Sequence, residues 1–219
     1  MIIQYEKALQ FSRRTNILDR VFDPDTCSLN GCSKEIWAGS EFCRKHHPDA
    51  VVYQAKLVDS ILKNKGKIES RDLSAITLCD TNFEDLSFTF CRFTGAVFNR
   101  VSFRGTRFFM CLLDDISAVD CDFKASKMMS VVAAGSDFSN TSFAGSNLIN
   151  VSFNGIKGDF TNFDESDLFS SRFIAASLNS AQFRDCNLRF VDFTNARLRN
   201  TDFSNSNPNE AYLMTIPAQ

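Results

Sequence analysis

The sequence has few of the features that mark secreted, membrane or nucleic-acid-binding chains. Its opening stretch, MIIQYEKALQFSRRTN, lacks the apolar run of a secretory signal. Nowhere do roughly 18 apolar residues follow one another, as a membrane-spanning helix requires. The net charge of −2 at pH 7 is also too small for the basic footprint of a nucleic-acid-binding domain. These absences predict a cytoplasmic protein that contacts neither membranes nor nucleic acid directly.

Residues that usually carry catalysis are scarce as well. The chain contains only two histidines, and it has no glycine-rich phosphate loop, nucleophile elbow or cluster of histidines with carboxylates. General acid–base catalysis would therefore depend on scattered carboxylates. We predict that the protein is not an enzyme. A carboxylate or thiol with a strongly shifted pKa in a cleft would indicate the contrary.

Phenylalanine, in contrast, is abundant, with 23 residues, and apolar residues recur every five positions. In NTSFAGSNLINVSFNG, the residues Phe143, Leu148 and Phe153 are five apart. This register continues without insertion from Leu73 to Phe203 and gives 27 central positions, of which 15 are Phe and eight are Leu. A small residue, Ala, Cys, Ser, Thr or Val, stands two positions earlier in 22 of the units. Repetition at a fixed period that fits neither a helix nor a simple strand predicts a solenoid.

Units such as TDFSN, CNLRF, ARLRN and SNLIN resemble the A(D/N)LXX units of pentapeptide repeat proteins, over about residues 71–208. The resemblance implies a mainly β fold, a right-handed quadrilateral β-helix with four units per coil and about seven coils. The central residue and the small residue two positions before it would face inward, and their neighbours would face solvent.

Some members of that family imitate duplex DNA and bind type II topoisomerases, which they protect from quinolones. Here acidic residues such as Asp85, Asp120 and Asp159 are scattered over several predicted faces and are interrupted by Arg and Lys. No acidic stripe results, so topoisomerase modulation is an alternative to the main prediction of a protein-binding or scaffolding role.

One predicted outer face is apolar where the others are polar. An outward apolar row with Phe, Met and Arg resembles the composition of protein interfaces. Residues 1–70, a second copy of the chain or another protein are the three candidates that would cover it. The row itself reads Thr89, Phe109, Met129, Ile149, Phe169 and Arg189. The predicted partner-binding residues are Phe109, Met110, Leu112, Met129, Val132, Ile149 and Phe169.

The segment before the repeat combines three cysteines with both histidines. Cys27, Cys32 and Cys43 precede His46 and His47, and three thiolates with one imidazole satisfy the tetrahedral preference of Zn²⁺. A short segment with little core also gains stability from such a site. The predicted ligands are Cys27, Cys32, Cys43 and His46, which leave no open position for catalysis. His47 as the fourth ligand, and free thiols in a small helical cap, are the alternatives.

Three regions follow from these patterns. Residues 1–70 are expected to form a Cys/His-rich cap with helices at 5–21 and 49–65, where apolar residues have helical spacing. Residues 71–208 would form the repeat, and residues 209–219 a C-terminal cap. The helices of the first region would close one end of the rod, where an open coil exposes unpaired backbone groups.

Overall fold

A computed structural model describes residues 26–63 and 66–212 of the chain. The predicted helix at 5–21 and the end of the expected C-terminal cap, residues 213–219, lie outside this part. The second predicted helix is α1, Ala50–Lys63. It begins after Asp49, whose Oδ1 accepts a hydrogen bond from the Val52 amide at 3.2 Å, as an N-cap aspartate does. Within the described ranges no helix has the length and apolarity needed to cross a bilayer.

The remainder of the described chain is a parallel β-solenoid with twenty residues per coil, so the mainly β solenoid prediction is confirmed. The strands are β1 Lys67–Glu69, β2 Thr77–Cys79, β3 Ser87–Thr89, β4 Val97–Asn99, β5 Arg107–Phe109, β6 Lys127–Met129 and β7 Asn147–Ile149. Strands β1, β3, β5, β6 and β7 form a five-stranded sheet on one face, and β2 and β4 pair on another. Partners are twenty residues apart, as where Phe88 faces Phe108.

Regular strand pairing is shorter than the sequence predicted. The five-stranded sheet covers four turns, not about seven. Beyond β7 the twenty-residue register continues as single-residue bridges, and one column of seven bridges runs from Asp72 to Tyr212. Each strand is only three residues long, so a small change in backbone direction reduces it to one bridge. The pairing also resumes after the short 3₁₀ helix Pro208–Glu210, where the Tyr212 amide donates to Val191 O at 2.8 Å.

The corners explain the period of five. Every fifth residue from Ser70 to Asn205 has a positive φ, including Gly145 at 66°. Bulky residues take the same conformation, among them Phe160 and Phe190, both at 62°. A left-handed conformation costs an L-residue about 1–2 kcal/mol. The bonds between coils impose it here, and the chain turns at each such residue.

The interior is a column of large side chains from the central positions, which are buried except for Leu198 and Phe203 in the last coil. Phe143 is stacked between Phe123 and Phe163, with ring centroids 4.9 and 5.1 Å away. From Phe103 to Phe203 each ring lies within 19° of parallel to the next. Offset stacking of this kind adds to the free energy gained from burial. The separation is close to the strand spacing of about 4.8 Å, which sets it.

The small inward residues satisfy their own polar groups. Thr161 Oγ1 donates to Phe138 O at 2.9 Å, and Ser166 Oγ donates to Phe143 O at 2.8 Å, in each case to the preceding coil. A buried hydroxyl without such a partner would be destabilising. The small residue therefore fills the corner and also links two coils.

Helix α1 covers the open end of the first coil. The Gln54 side chain behaves like a neighbouring strand: its Nε2 donates to Thr77 O at 2.7 Å, and its Oε1 accepts from the Thr77 amide at 3.0 Å. Tyr53, Leu57 and Val58 pack against the end of the core. The helix thus satisfies backbone groups of β2 that would otherwise be unpaired.

Candidate functional site

The predicted ligands Cys27, Cys32, Cys43 and His46 converge, with all their ligand atoms within 4.8 Å of one another. His46 Nδ1 lies 3.6 Å from Cys27 Sγ and 3.4 Å from Cys43 Sγ, and the sulfurs of Cys32 and Cys43 are 4.0 Å apart. Tetrahedral Zn²⁺ with Zn–S near 2.3 Å and Zn–N near 2.0 Å requires separations of about 3.8 Å between sulfurs and about 3.6 Å between sulfur and nitrogen. The donor set therefore fits Zn²⁺ in both chemistry and size.

Two tight turns bring these side chains together. The Cys32 amide donates to Leu29 O at 3.0 Å, in a turn where Gly31 has a φ of 81° that a larger residue would adopt only at a cost. The Cys27 amide donates to Lys34 O at 2.8 Å and closes this loop. After Cys43, the amide of His46 returns to Cys43 O at 2.9 Å, which places both side chains on one side of the turn.

The structure also separates the two histidines. His47 points away from the thiols: its Nδ1 accepts a hydrogen bond from the Asp49 amide at 3.1 Å. Its ring packs edge-on against Trp37 at 5.7 Å and lies 4.7 Å from the ring of Tyr53. His46 is therefore the histidine of the cluster, and His47 belongs to the small aromatic core of the cap.

The thiols of the cluster do not have equal acidity. Burial raises the pKa of Cys27, but hydrogen bonds from the backbone of Cys43 and Leu29 and from His46 outweigh it and lower the pKa to about 6. A backbone hydrogen bond at Lys34 lowers the pKa of Cys32, yet burial and the neighbouring thiols raise it overall. Adjacent thiolates repel one another, so a bound cation is the natural means of ionising all three.

The cluster is connected to the rod through the residue next to a ligand. Arg44 follows Cys43, and it donates to Ala75 O at 3.0 Å and to Thr77 Oγ1 at 3.2 Å. Its guanidinium also lies 5.5 Å from the Trp37 ring centroid, within cation–π range. A groove of about 580 Å³ runs along this junction. The turn that presents Cys43 and His46 thus also fixes the contact between cap and rod.

The predicted apolar row lies on the five-stranded sheet. Phe109, Met129 and Ile149 are successive partners on β5, β6 and β7. Phe109 is 40% exposed and Met129 47% exposed, whereas Ile149 is half-buried. Phe169 continues the row on the next coil, because its carbonyl accepts from the Asn150 amide at 3.1 Å. Four apolar side chains therefore stand on consecutive coils.

The other predicted contact residues border this row. Met110 occupies the adjoining corner and is half-buried. Leu112 and Val132 pair with each other on the next face around that corner, and both are half-buried. The described part of the cap makes its polar contacts with the rod at Ala75, Thr77 and Arg92, in the first coils.

Two further aromatic residues, the half-buried Phe90 and the exposed Phe190, extend the surface and were absent from the predicted set. The ring of Phe90 lies 5.9 Å from that of Phe109, and Phe190, 45% exposed, lies 5.6 Å from Phe169. Both occupy corners, two positions after a central residue, so a search of that second position would have found them. We call the surface formed by Phe90, Phe109, Met129, Ile149, Phe169 and Phe190 the apolar face.

The inward cysteines behave as core residues. Cys186 Sγ donates to Phe163 O at 3.0 Å, as serine does in equivalent positions. Burial raises the pKa of Cys121 and of Cys186 to about 11 each. Cys91 is different, since its hydrogen bond with Cys111 lowers its pKa, but its side chain has no exposed surface. None of these four thiols combines ionisation with access for a substrate.

Sequence comparisons match the rod in two segments. The family model described as "Pentapeptide repeats (8 copies)" matches residues 72–108, and that described as "Pentapeptide repeat region" matches residues 126–213. No curated protein sequence matches the chain.

Solved structures with similar folds include a trypsin-treated variant of QnrB1, a plasmid-mediated fluoroquinolone resistance protein. It is 15% identical, with a TM-score of 0.44, over 68% of this chain and 85% of that one. HetL from the cyanobacterium Nostoc sp. strain PCC 7120, involved in heterocyst differentiation regulation, is 12% identical, with a TM-score of 0.31, over 73% and 94%. Rfr23 from the cyanobacterium Cyanothece 51142 is 13% identical, with a TM-score of 0.19, over 74% and 95%.

The two family models together cover more than half of the chain, and they fall where the five-residue register and the twenty-residue pairing coincide. The chain belongs to the pentapeptide repeat family.

Proposed function

We propose that the chain is a non-enzymatic protein-binding member of this family and that the apolar face is its contact surface. The observation that carries the proposal is the exposure of Phe109 and Met129, side by side on a regular parallel sheet. Large apolar side chains grouped in this way mark interaction sites, and Phe and Met are enriched in interface cores. A contact there would remove apolar surface from water.

The other faces carry charge pairs that link successive coils. Arg100 holds Asp80 with two hydrogen bonds of 2.7 and 2.8 Å, and Arg184 holds Asp164 in the same way. Such a surface remains well solvated. The apolar face therefore differs from its surroundings and is not a general property of the rod.

The same pairs weigh against the alternative of DNA mimicry by a topoisomerase modulator. A mimic of duplex DNA needs a continuous negative surface, since one charge per roughly 1.7 Å characterises the duplex. Here Asp80 and Asp164 are each neutralised by an arginine on the next coil. We expect gyrase supercoiling to be the same with and without the protein, in the presence and absence of a quinolone. Protection of gyrase would favour the alternative.

The contact surface is tested by affinity capture with a matched pair of variants. Phe109→Glu/Met129→Glu places two charges on the apolar face without opening the core, because both side chains are exposed. Lys124→Glu reverses a charge on another face, with the same change in net charge, and serves as the control. We expect the wild type and the control to retain bound protein and the double variant to lose it. Equal capture by all three, at equal circular dichroism and melting temperature, would overturn the proposal.

We infer that the Cys/His cluster binds structural zinc in a reducing compartment, which we take to be the cytoplasm. The support is the fit of three sulfurs and one nitrogen to the size of the ion. All four positions of a tetrahedral ion would be filled by protein, so the ion would have a structural and not a catalytic role. Its effect would be to hold the turns that present Arg44 to the first coil.

Zinc is tested by elemental analysis of the full chain and of two cysteine variants. We expect about one equivalent of zinc in the wild type and in Cys79→Ser, because Cys79 is exposed and lies outside the cluster. Cys27→Ser should lose the metal and lower the melting temperature. Metal-free wild type after purification without chelators, with Cys27→Ser melting like the wild type, would exclude the site.

A further inference from the structure

We propose that the occupant of the apolar face is a second copy of this chain, docked face to face with the two rods antiparallel. The inference rests on the proposed function, in which this face contacts protein. Its basis is that the apolar column of the face reads almost the same in both directions along the rod, while the polar column beside it places Arg107 and Asp167 at positions that such a reversal exchanges. A surface of that kind is complementary to itself under a two-fold rotation, as an isologous interface requires.

The geometry of the face defines how two copies would meet. The two-fold axis would lie between the two sheets, perpendicular to the rods and level with the gap between β6 and β7. Rotation about this axis reverses the order of coils and keeps the order of residues within a strand. Each column then faces the same column of the partner in reverse. The axis lies near the middle of the bridge column from Asp72 to Tyr212, so the two rods overlap along most of their length.

The apolar column is matched under this rotation. Phe109 would face Phe169 of the partner subunit, and Met129 would face Ile149 of the partner subunit. The corner column is matched at its ends, where Phe90 would face Phe190 of the partner subunit, whereas Met110 would face Ser170 of the partner subunit. Aromatic rings would thus close both ends of an aliphatic centre. The apolar column consists of Thr89, Phe109, Met129, Ile149, Phe169 and Arg189.

The polar column beside it supplies opposite charges. Arg107 is exposed and has no carboxylate partner among the residues described. The rotation places it opposite Asp167 of the partner subunit. Asp167 uses its Oδ1 to accept from the Phe169 amide at 3.2 Å and from Asn187 Nδ2 at 2.8 Å, which leaves Oδ2 for an arginine. The polar column consists of Ser87, Arg107, Lys127, Asn147, Asp167 and Asn187.

A parallel arrangement of the same two faces is unfavourable. It would reverse the order of residues within a strand and keep the order of coils. Arg107 would then face the apolar side of the same coil, near Phe109 and Met110, and a charge would lose water without gaining a partner. The antiparallel arrangement places polar groups against polar groups, and it forms two Arg107–Asp167 pairs in each dimer.

The size of the face indicates a reversible dimer. Six coils at about 4.8 Å give a contact about 24 Å long and only a few residues wide, which is below the area of a standard interface. We therefore expect a monomer–dimer equilibrium that depends on concentration. Complementary charges mainly determine orientation and exclude wrong pairings in such contacts.

Sedimentation equilibrium of the full chain tests the inference through charge reversal. We expect the wild type to reach the mass of two 24.6 kDa chains as concentration rises. Arg107→Asp alone and Asp167→Arg alone should each weaken the dimer at least tenfold, because each places like charges in contact twice. An equimolar mixture of the two variants should form a heterodimer near wild-type strength, and Lys124→Asp should leave the wild-type equilibrium unchanged.

Three results would overturn the inference. One is a wild type that stays monomeric up to millimolar concentration. If Phe109→Glu/Met129→Glu nevertheless abolishes capture of another protein, the proposed function survives and only the choice of partner is wrong. The second result is a dimer that neither single charge variant weakens. The third is a pair of folded single variants that each weaken the dimer but do not associate when mixed. Both of these exclude the antiparallel geometry.

Discussion

The cap and the rod are stabilised in opposite ways. In the rod each coil repeats the same contacts, so a Phe such as Phe143 has equivalent neighbours above and below. In the described part of the cap the buried apolar side chains are few, and Cys27 and Cys43 are among them. Repetition distributes stability over many equivalent sites. A small segment without that option depends on one cluster, and its fold should be lost when the cluster is disrupted.

Removal of the zinc that we propose for the cap should have the largest effect, and it should change the cap without changing the rod. A structural zinc site contributes on the order of 10 kcal/mol of apparent binding free energy, all of it to the cap. Trp37 is the only tryptophan of the chain and is buried in the cap, so its fluorescence reports this region alone. A strong chelator should shift its emission to the red while the far-ultraviolet circular dichroism of the rod persists.

The comparison would fail in either of two ways. Emission from Trp37 that does not respond to chelation would mean that the cap needs no metal. Loss of the β signal together with the shift would mean that the rod depends on its cap.

Truncation in the ring ladder should have the next largest effect, now on the rod. Phe143→Ala removes a fully buried ring that is stacked on both sides, at a cost of about 3–5 kcal/mol in the free energy of unfolding. Phe160→Ala is the control, since that ring is 63% exposed and lies outside the apolar face. Urea unfolding followed by circular dichroism measures both. Similar losses for the two variants would contradict a rod stabilised by its interior column.

The junction between the two regions can be weakened without disturbing either. Gln54→Ala leaves the amide and carbonyl of Thr77 without their side-chain partners, at a cost of about 1–2 kcal/mol for the hydrogen bonds. Hydrogen exchange at the Thr77 amide should become faster, and exchange in the later coils should not change. Lys56→Ala, on an exposed position of α1, should have no effect. Slow exchange at Thr77 in Gln54→Ala would show that other contacts seal this end.

The smallest effect is expected from charge pairs on the rod. The hydrogen bonds from Arg100 lower the pKa of Asp80 below its ordinary value. A lowered carboxyl pKa stabilises the fold above the unfolded value, near 3.9, and this contribution is lost as pH falls through the folded value. Arg100→Ala should raise the pKa of Asp80 in an NMR titration and reduce stability slightly at pH 7, but not at pH 2. An unshifted pKa would contradict the pairing.

The two regions also differ in how far the sequence predicts them. The rod follows from its sequence because each unit of five carries its own inward pair, as Phe143 with Thr141. The corner residues do not follow so easily. A bulky residue such as Phe160 ordinarily avoids positive φ, and only the bonds between coils impose it.

Within the candidate site, the ligand spacing predicts a cluster of three cysteines and one histidine, but it does not decide between the two histidines. That choice depends on the packing of His47 against Trp37 and Tyr53, which is a tertiary contact. The apolar row could be predicted from the sequence because each of its residues directly follows a central position. Phe90 and Phe190 were missed because they stand two positions after a central residue and join the row only through the geometry of the corner.

The central claim, that the apolar face contacts protein, is tested most directly by photo-crosslinking. A photoreactive residue replaces Met129 on the apolar face or, as the control, Lys124 on another face of the same rod. After irradiation we expect position 129 to give an adduct heavier than the 24.6 kDa chain and position 124 to give none. No adduct from position 129, or equal adducts from both positions, would contradict the claim.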